Sequence, residues 1–482
     1  MYLGIDVGTS EVKVLLLASD HRQVGTAGAV LGISRPHPGH SEQNPADWWQ
    51  ATQTAVNRLR EAHPLAFGKV RGIGLSGQMH GAVLLDAHHQ VLRPAILWND
   101  TRASQECVQM MDELPTASQL AGSLLMPGFT APKLRWLASH EPDVFARVTT
   151  VLLPKDFVRF QLTGEFITDL SDASGTGWLN VAAREWSDAL LSLCGLNQGH
   201  MPRLAEGSQA GGVLRADVAL ALGLKPGIVV AGGGGDNAAS AVGMGAVEPG
   251  QGFLSLGTSG VLFVVTPSFA PNPASATHAF CHALPQRWHQ MSVMLSAASC
   301  LHWATRLLGA ATESELEIKA GTLTLTERSN APIFLPYLSG ERTPHNNAKV
   351  RGSFHGLSHD TDAASLAYAV IEGVTFGLKD GLAALRAAGC TVNQLSLVGG
   401  GAKSAMWAQQ LASVLDVQIV THSGSAAGGA LGAARLGWLA DGGDLDAVCV
   451  TPDVDQTYAP QAQEANVLAP RYQRFRSLYS EA

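Results

Sequence analysis

The sequence contains no long hydrophobic run. A helix that crosses a membrane needs roughly 18 or more consecutive apolar residues, and no segment of the chain reaches that length. The N-terminus passes directly into a strand-like segment, without the basic stretch, apolar core and cleavage site of a signal peptide. We therefore expect a protein that neither crosses a membrane nor carries an export signal.

Cysteine is also scarce, and its spacing is irregular. The six cysteines form no CxxC pair; they are Cys107, Cys194, Cys281, Cys300, Cys390 and Cys449. Cysteines scattered in this way indicate reduced thiols rather than a disulfide framework. The pattern predicts a cytoplasmic protein.

Positive charge is not concentrated in any segment. Charged residues make up 15% of the chain and the net charge is -8, with no cluster of lysine and arginine. Because a protein that binds nucleic acid presents a basic face to the phosphate backbone, we expect no nucleic-acid partner. The pattern GxxxxGK(S/T) is absent too, so any bound ATP is not held by a P-loop.

The chain is rich in apolar residues, and it is long. Hydrophobic residues make up 46% of its 482 residues, which suits a compact α/β enzyme. This length exceeds one ordinary core. Strand-like and helix-like patterns alternate in both halves, which favours mixed sheets covered by helices. We place a boundary near residue 245, which gives domains 1–245 and 246–482.

One short pattern occurs twice, about half a chain apart. The tripeptide Gly-Thr-Ser stands at residues 8–10 and again at 257–259, each time between strand-like segments. Both copies predict β-hairpins whose turns present backbone N–H groups and hydroxyls, a combination that binds phosphate. Two such turns facing each other would hold a polyphosphate from both sides. Chance could produce one copy in a glycine-rich chain, but the matching flanks argue against chance for the pair.

Two carboxylates adjoin glycine turns. Asp6 ends the strand before the first turn, where Mg²⁺ would be needed between a carboxylate and bound phosphates; capping of the turn is the alternative. Asp236 follows the glycines at 232–235 and precedes a small-residue helix, which suits a general base for an attacking hydroxyl. Capping of that helix is the alternative. Both are candidates for catalysis and for placing a metal through water.

Two further glycine turns suit small molecules. Residues 72–77 match GxGxxG, but Met79, His80 and a strand-like run follow instead of a helix, so we reject a dinucleotide site. Amide, thioether and imidazole groups on one turn, here those of Gln78, Met79 and His80, suit sugar hydroxyls, although a lone histidine is more often a hydrogen-bonded surface residue. The glycines at 399–401 end a strand, where adenine or ribose could lie against bare backbone.

A helix is predicted to begin near residue 45. Asn44, Pro45 and Asp47 supply a capping side chain, a proline in the first turn and an early carboxylate. The helix should continue to about residue 61. Trp49 falls at helical spacing with the apolar residues that follow, so we expect it in the core.

These elements, in this order, resemble the actin-like ATPase superfamily and, within it, the FGGY carbohydrate kinases. The resemblance rests on the stretches GIDVGTS, GGGGDN, LSLGTSG and VGGGAKS, and it extends over nearly the whole chain. It implies two ribonuclease H-like domains that close over a cleft. The sugar would be bound mainly by the first domain and ATP mainly by the second.

The resemblance also implies roles for individual residues. Asp236 matches the catalytic base, and Asp6 matches the aspartate needed near the phosphates and the metal. The positions that match sugar-binding residues are Met79, His80, Trp98 and Asn237, together with Asp236. On the nucleotide side, Ser10 and Thr258 match phosphate-binding positions next to the turn residue Thr9, and Gly400 and Gly401 match the adenosine turn.

Longer stretches, such as SGQMHGAVLLD and FLPYLSGERTPHNN, are similar to those of family members that act on D-xylulose. They imply transfer of phosphate from ATP, with Mg²⁺, to O5 of this sugar, and the family suggests a homodimer. Ribulose, glycerol or a deoxy-sugar stays open as the substrate, and an actin-like chaperone ATPase is the more distant alternative. Two departures stand out, a glycine run before Asp236 that is one residue longer than usual and Glu11 beside the first turn, which we expect to point away.

Overall fold

The computed structural model describes residues 1–422 and 428–481. The strands of the first half are β1 (Tyr2–Val7), β2 (Glu11–Leu17), β3 (Gln23–Val30), β4 (Glu42–Gln43), β5 (Gly72–Gly77), β6 (Val83–Leu85), β7 (Ala95–Ile96), β8 (Thr150–Leu152), β9 (Ile167–Asp169), β10 (Leu179–Asn180), β11 (Glu185–Trp186), β12 (Arg203–Ala205), β13 (Ala210–Val213), β14 (Val229–Ala231) and β15 (Gly234–Gly235). Its helices are α1 (Pro45–Ala62), α2 (Pro64–Phe67), α3 (Ser104–Glu113), α4 (Ala117–Leu120), α5 (Thr130–His140), α6 (Pro142–Phe145), α7 (Pro154–Thr163), α8 (Leu170–Ser174), α9 (Asp188–Ser192), α10 (Ala216–Leu222) and α11 (Asp236–Met244).

The second half follows directly. Its strands are β16 (Gly252–Leu256), β17 (Gly260–Thr266), β18 (His278–Cys281), β19 (Trp288–Met294), β20 (Ile333–Leu335), β21 (Ser353–His355), β22 (Gln394–Val398), β23 (Gln418–His422) and β24 (Val454–Tyr458). Its helices are α12 (Ala298–Leu307), α13 (Glu313–Gly321), α14 (Leu325–Asn330), α15 (Ala363–Ala387), α16 (Ala405–Leu415), α17 (Gly428–Ala440), α18 (Leu445–Val448) and α19 (Ala462–Glu481).

Each half is built on a mixed sheet. The first sheet has the order β13-β14-β5-β1-β2-β3, with β15 also paired to β5, and the second has the order β18-β19-β17-β16-β22-β23-β24. In both, the first strand of an antiparallel hairpin pairs on its other side with a later, parallel strand, β5 in one sheet and β22 in the other. The halves therefore repeat one topology, and the predicted α/β fold of mixed sheets flanked by helices is confirmed.

Both predicted hairpins are present. The hairpin of β1 and β2 and the hairpin of β16 and β17 contain the strand segments expected from the sequence. Most residues of β1 and β16 are buried because each strand has neighbours on both sides and helices on its faces. This burial explains why their sequences form continuous apolar runs rather than alternating ones.

The helix predicted near residue 45 is α1, but its apolar face differs by one residue from the prediction. Asn44 caps the helix and Pro45 occupies its first turn. Trp48 is fully buried and donates to Gln43 Oε1 at 3.0 Å. Trp49 is only partly buried at the edge of the same core. Helical spacing permitted either tryptophan to face inward, and packing against the sheet selects Trp48.

The second half also contributes a helix to the first sheet. α17 packs on β1, β2 and β5 and lies against α11. The two helices approach closely, since a Cβ atom added to Gly432 would lie 1.7 Å from the Ala239 carbonyl oxygen. The buried Arg435 of α17 donates to the carbonyls of Val242 and Gly243 at 2.9 and 3.1 Å, at the C-terminal end of α11. This helix pair joins the two halves.

A second region of contact between the halves is apolar. Met79 and Phe129 of the first half share a buried cluster with Phe280 and other residues of the second half. Next to it, the Ser174 hydroxyl accepts a hydrogen bond from the Cys281 N–H at 3.1 Å. The boundary near residue 245 stays a prediction about the sequence, because buried contacts cross it in two places.

All six cysteines are buried, and none of them forms a disulfide. The predicted absence of disulfides is therefore confirmed. Within the described ranges, we find no helix with the length and apolar character needed to cross a membrane.

Candidate active site

The carboxyl ends of three neighbouring strands bring the predicted residues of the first half together. In the sheet register, Asp6 of β1 stands beside Ser76 of β5, and Ser76 stands beside Gly234 of β15. Asp236 follows two residues later, as the first residue of α11. Neighbouring strands are about 4.8 Å apart, so the two aspartates face the same space at one edge of the sheet.

The two oxygens of the Asp236 carboxylate have different surroundings. Oδ1 accepts hydrogen bonds from the backbone N–H and the side-chain amide of Asn237, at 2.7 and 3.0 Å. Oδ2 has no such partner within the protein among the described residues. Burial in the cleft, opposed by these Asn237 bonds and aided by the charge of Asp6, raises the pKa of Asp236 to about 6. One oxygen is thus fixed and the other is available to a proton donor.

Asp6 lies on the other side of this space. Burial raises its pKa, while Ser76 and Lys13 act in the opposite direction. A Cβ atom added to Gly429, in the first turn of α17, would lie 2.8 Å from Asp6 Oδ2. The amino-terminal end of that helix therefore adjoins the carboxylate and favours its charged form.

The two aspartates fit a divalent cation held mainly by other ligands. Elsewhere in the described part of the chain, and here, no three His, Cys, Asp or Glu side chains are grouped so that they could hold a metal ion. A cation beside Asp6 and Asp236 would take its remaining ligands from water and phosphate, which is how Mg²⁺ is usually bound. Burial is the largest cause of the raised pKa of both groups, and a cation bound beside them would lower both pKa values.

The first glycine turn is fixed through its threonine. Thr9 Oγ1 donates to Gln78 Oε1 at 2.9 Å and accepts from Trp98 Nε1 at 3.0 Å. The hydroxyl of Thr9 is thereby occupied, whereas Ser10 is exposed. Trp98 is 46% exposed.

Glu11 follows the first turn and points away from it. Its carboxylate pairs with Lys13 Nζ at 2.9 Å along β2. The expectation that this charge lies along the strand is confirmed. Its remaining effect is to raise the pKa of Asp6, as the smallest of the causes that act on that group.

The turn after β5 presents a neutral imidazole. His80 has a φ of 70°, and its Nδ1 lies 2.6 Å from the Gly175 carbonyl oxygen, which only accepts, so Nδ1 carries the hydrogen. Burial, with Lys133 as the next cause, lowers the pKa of His80 to about 3. Nε2 therefore carries no hydrogen and can accept a hydrogen bond. The ring stacks on Phe129 at 4.5 Å, and Met79 lies beside the loop that leads to Asp236.

A buried lysine holds this turn in place. Lys133 Nζ donates to the carbonyls of His80 and Ile96, at 2.9 and 3.1 Å. The side chain is fully buried, and desolvation places its pKa well below the usual range. Its bonds to two carbonyls connect the turn that carries His80 to β7.

The second glycine turn packs on α12. The carbonyl of Thr258 accepts from the Ala297 N–H at 2.9 Å and from the Ser299 hydroxyl at 2.7 Å, which leaves the Thr258 side chain exposed. Beside α12, Gly400 and Gly401 line a pocket of about 420 Å³. A Cβ atom on Gly400 would meet no atom within 4 Å, so the backbone is open to a ligand there.

Comparisons with known proteins agree with this geometry. The model of the N-terminal domain of the FGGY family of carbohydrate kinases matches residues 1–243, and the model of the C-terminal domain matches residues 252–440. The chain belongs to the FGGY family of carbohydrate kinases.

This chain is similar to individual FGGY proteins over nearly their full length. The chain is 49% identical to a xylulose kinase of Escherichia coli over 484 residues, which covers 100% of this chain and 99% of the relative. A crystal structure of a xyloylose kinase from Brucella ovis has 51% identity and a TM-score of 0.96, and covers 100% of this chain and 99% of that one. A xylulose kinase from Rhodospirillum rubrum has 28% identity and a TM-score of 0.92, with coverage of 100% and 98%.

Sequence reasoning missed two residues beside this site. Lys133 fixes the turn that carries His80, and it was given no role. Arg342 reaches His278 Nε2 at 3.5 Å, in the wall behind Phe129, and has no carboxylate within ion-pair distance in the described part of the chain. Arg342 lies in the stretch FLPYLSGERTPHNN, but only the structure shows what these two side chains contact. Gln78 was predicted to belong to the turn that suits sugar hydroxyls, and in the structure its Oε1 accepts from Thr9 and fixes the first glycine turn.

Proposed function

We propose that this chain transfers the γ-phosphoryl group of ATP to O5 of D-xylulose, giving D-xylulose 5-phosphate and ADP. The observation that carries the proposal is Asp236, a carboxylate with one fixed and one available oxygen, set between a neutral imidazole turn and a second carboxylate. The choice of sugar is supported by the full-length similarity to xylulose kinases.

In this proposal Asp236 is the general base. Its free Oδ2 accepts the proton of the sugar O5 hydroxyl as that oxygen attacks phosphorus. A pKa of about 6 leaves the group ionised at neutral pH while keeping it basic enough to accept a proton. Asn237 orients the carboxylate, and His80 Nε2 accepts a hydrogen bond from another sugar hydroxyl. Met79 and Trp98 supply apolar surface for the sugar.

The nucleotide would lie along the second sheet. The pocket beside Gly400 and Gly401 would take adenosine, and the turns with Thr9, Ser10 and Thr258 would take the phosphates. Asp6 and Asp236 would hold Mg²⁺ through water. When bound, that cation would neutralise charge on the phosphate oxygens, as it does in other phosphoryl transfers.

A panel of sugars tests the substrate. ADP release is measured with a coupled assay for D-xylulose, D-ribulose, glycerol and a deoxy-sugar, each at several concentrations. We expect kcat/KM for D-xylulose to exceed the others by at least about tenfold, since a site that hydrogen-bonds specific hydroxyls rejects analogues that lack them. A higher kcat/KM for another sugar would replace D-xylulose in the proposal.

Asp236→Asn tests the base. The amide keeps the shape and can still accept from Asn237, but it cannot take a proton. We expect kcat to fall by at least about 10² while the sugar Kd changes little. Calorimetric titration of the variant with D-xylulose provides the binding control, and near-normal turnover would remove Asp236 from this role.

A further inference from the structure

The glycine loop that leads to Asp236 is held at both ends. The Arg159 guanidinium donates to the carbonyl of Gly232, and the Ser171 hydroxyl accepts from the N–H of Gly235 at 3.1 Å. Between them, Gly233 has a φ of 86°. Four successive glycines have more backbone freedom than any other tetrapeptide, so the position of the following aspartate depends on what holds the loop.

Both holding groups belong to one buried cluster of charges. Lys155 Nζ lies 2.7 Å from Asp156, 2.7 Å from Asp169 and 3.0 Å from Asp172, and none of these four side chains is exposed. Arg159, also unexposed, lies 2.5 Å from Asp156. Asp169 Oδ2 accepts from the Ser171 hydroxyl at 2.5 Å. An ion pair and two hydrogen bonds therefore connect Lys155 to the Gly235 N–H, through Asp169 and then Ser171.

The cluster is difficult to explain by stability alone. Removing ionised side chains from water costs several kcal/mol for each ion, and apolar residues of similar volume often give equal or greater stability. What apolar residues cannot do is bind the Gly232 carbonyl and, through Asp169, fix the rotamer of the Ser171 hydroxyl. The geometry of the loop is therefore the property that depends on these charges.

Helix α7, which carries Lys155, Asp156 and Arg159, also contacts the turn that carries Met79 and His80. A Cβ atom added to Gly77 would lie 3.1 Å from Lys155 Cβ, and one added to Gly81 would lie 2.5 Å from Pro154 Cγ. The start of α7 thus contacts both ends of the turn that carries Met79 and His80. Helix α7 therefore packs behind both this turn and the glycine loop that leads to Asp236.

We infer that the buried cluster of Lys155, Asp156, Arg159, Asp169 and Asp172 positions the catalytic base, by fixing the glycine loop at Gly232 and, through Ser171, at Gly235. This inference rests on the proposed function, because it assigns a task only if Asp236 is the base. None of the cluster residues contacts the substrate, and they act as positioning residues.

The sharpest test removes one oxygen atom. Ser171→Ala breaks the bond to the Gly235 N–H and leaves all five charges in place. Its matched control is Ser413→Ala, another buried serine whose hydroxyl accepts a backbone N–H, from Gln461 at 3.2 Å, on the far end of α16. We expect Ser171→Ala to lower kcat about tenfold with the sugar KM within threefold of the wild type, because small displacements of a reacting group cost large factors in rate. The control should stay within twofold.

Thermal unfolding separates positioning from a structural role. Both serine variants should lose a similar few degrees in Tm, since each removes a buried hydroxyl that makes two hydrogen bonds at Ser171 and three at Ser413. A kcat within twofold of wild type for Ser171→Ala would overturn the inference. So would an equal loss of kcat in both variants, because the loss would then follow from general destabilisation.

Hydrogen exchange provides a readout that needs no assigned substrate. The Gly235 amide of Ser171→Ala should exchange at least tenfold faster than in the wild type, while Ser413→Ala leaves its exchange rate unchanged. Unchanged exchange in Ser171→Ala would overturn the inference even if no sugar proved to be a substrate. A different outcome is that the wild-type protein phosphorylates no sugar while the variants show this exchange pattern. That result would refute the proposed function and would still support the inference that Ser171 fixes the glycine loop.

Discussion

The ionised carboxylate of Asp236 is reactive, but it lowers the stability of the folded state. Its pKa is raised from 3.8 to about 6, chiefly by burial, and repulsion from Asp6 adds to the shift. A carboxyl group whose pKa is higher in the folded state binds its proton more tightly there. The ionised form that the proposed mechanism needs is therefore the form that the fold disfavours, as is common in active sites.

This conflict predicts a pH-dependent gain of stability in Asp236→Asn. Because the folded pKa is the higher one, the wild type loses stability as pH rises from about 4 to about 6, and the loss is complete above the folded pKa. The difference between 3.8 and about 6 corresponds to at most about 3 kcal/mol. We expect the variant to be more stable by about 1 to 3 kcal/mol at pH 7 and by almost nothing at pH 4. Urea titrations at both pH values measure this.

A single residue also marks the limit of prediction from sequence. Asp6, Asp236 and His80 could be identified because each adjoins a glycine turn, where a ligand can approach the backbone closely. Lys133 could not, because its partners are carbonyls of His80 and Ile96, which no sequence pattern connects to it. Trp49 was placed one position wrongly for a similar reason, since helical spacing does not say which neighbour the sheet covers.

At the scale of elements, α11 and α17 approach each other closely through a glycine. Gly432 of α17 touches the backbone of Ala239, and Gly74 of β5 touches the backbone of Ala433 in the same helix. These contacts place the first turn of α17 against Asp6 and the start of α11 beside it. The helix pair therefore sets the distance between the two carboxylates of the site.

Gly432→Ala should disturb this pair. A Cβ atom there would lie 1.7 Å from a carbonyl oxygen, so the helices must move apart. Overpacking of this kind costs about 1 to 3 kcal/mol, and we expect a Tm several degrees below the wild type together with lower activity. Gly32→Ala is the control, because its added methyl would meet no atom within 4 Å. Equal Tm values for the two variants would contradict the prediction that close contact between α11 and α17 stabilises the fold.

Several helices and strands could be predicted from the sequence, but the sheet on which each helix packs could not. Both hairpins were predicted from the apolar strands that flank each glycine turn, and α1 was predicted from its cap and its helical spacing. The place of α17 on the first sheet was not predicted. A pattern of apolar residues shows that a helix has a buried face, and it does not show which sheet covers that face.

The whole molecule consists of two similar sheets joined at two places. The α11–α17 pair joins them on one side, and the cluster that contains Met79, Phe129 and Phe280 joins them on the other. The repeat of the Gly-Thr-Ser turn predicted two halves of one design. Their relative placement came only from the structure, because it depends on contacts between residues far apart in the chain.

These joints predict cooperative unfolding. Because the second half supplies a helix that covers β1, β2 and β5, the first sheet cannot keep its core after the second half has unfolded. We expect one transition in differential scanning calorimetry, with all probes giving the same midpoint. Two separated transitions would mean that the halves are independent, as the sequence boundary near residue 245 would suggest.

The six buried thiols have a practical consequence. Burial raises the pKa of Cys107 and of Cys194 to about 12, and that of Cys281, Cys390 and Cys449 to about 11, while Cys300 shifts in the same direction. Protonated sulfur atoms without access to solvent do not react with iodoacetamide. Alkylation followed by mass spectrometry would therefore report, cysteine by cysteine, when and where this protein opens, without any introduced label.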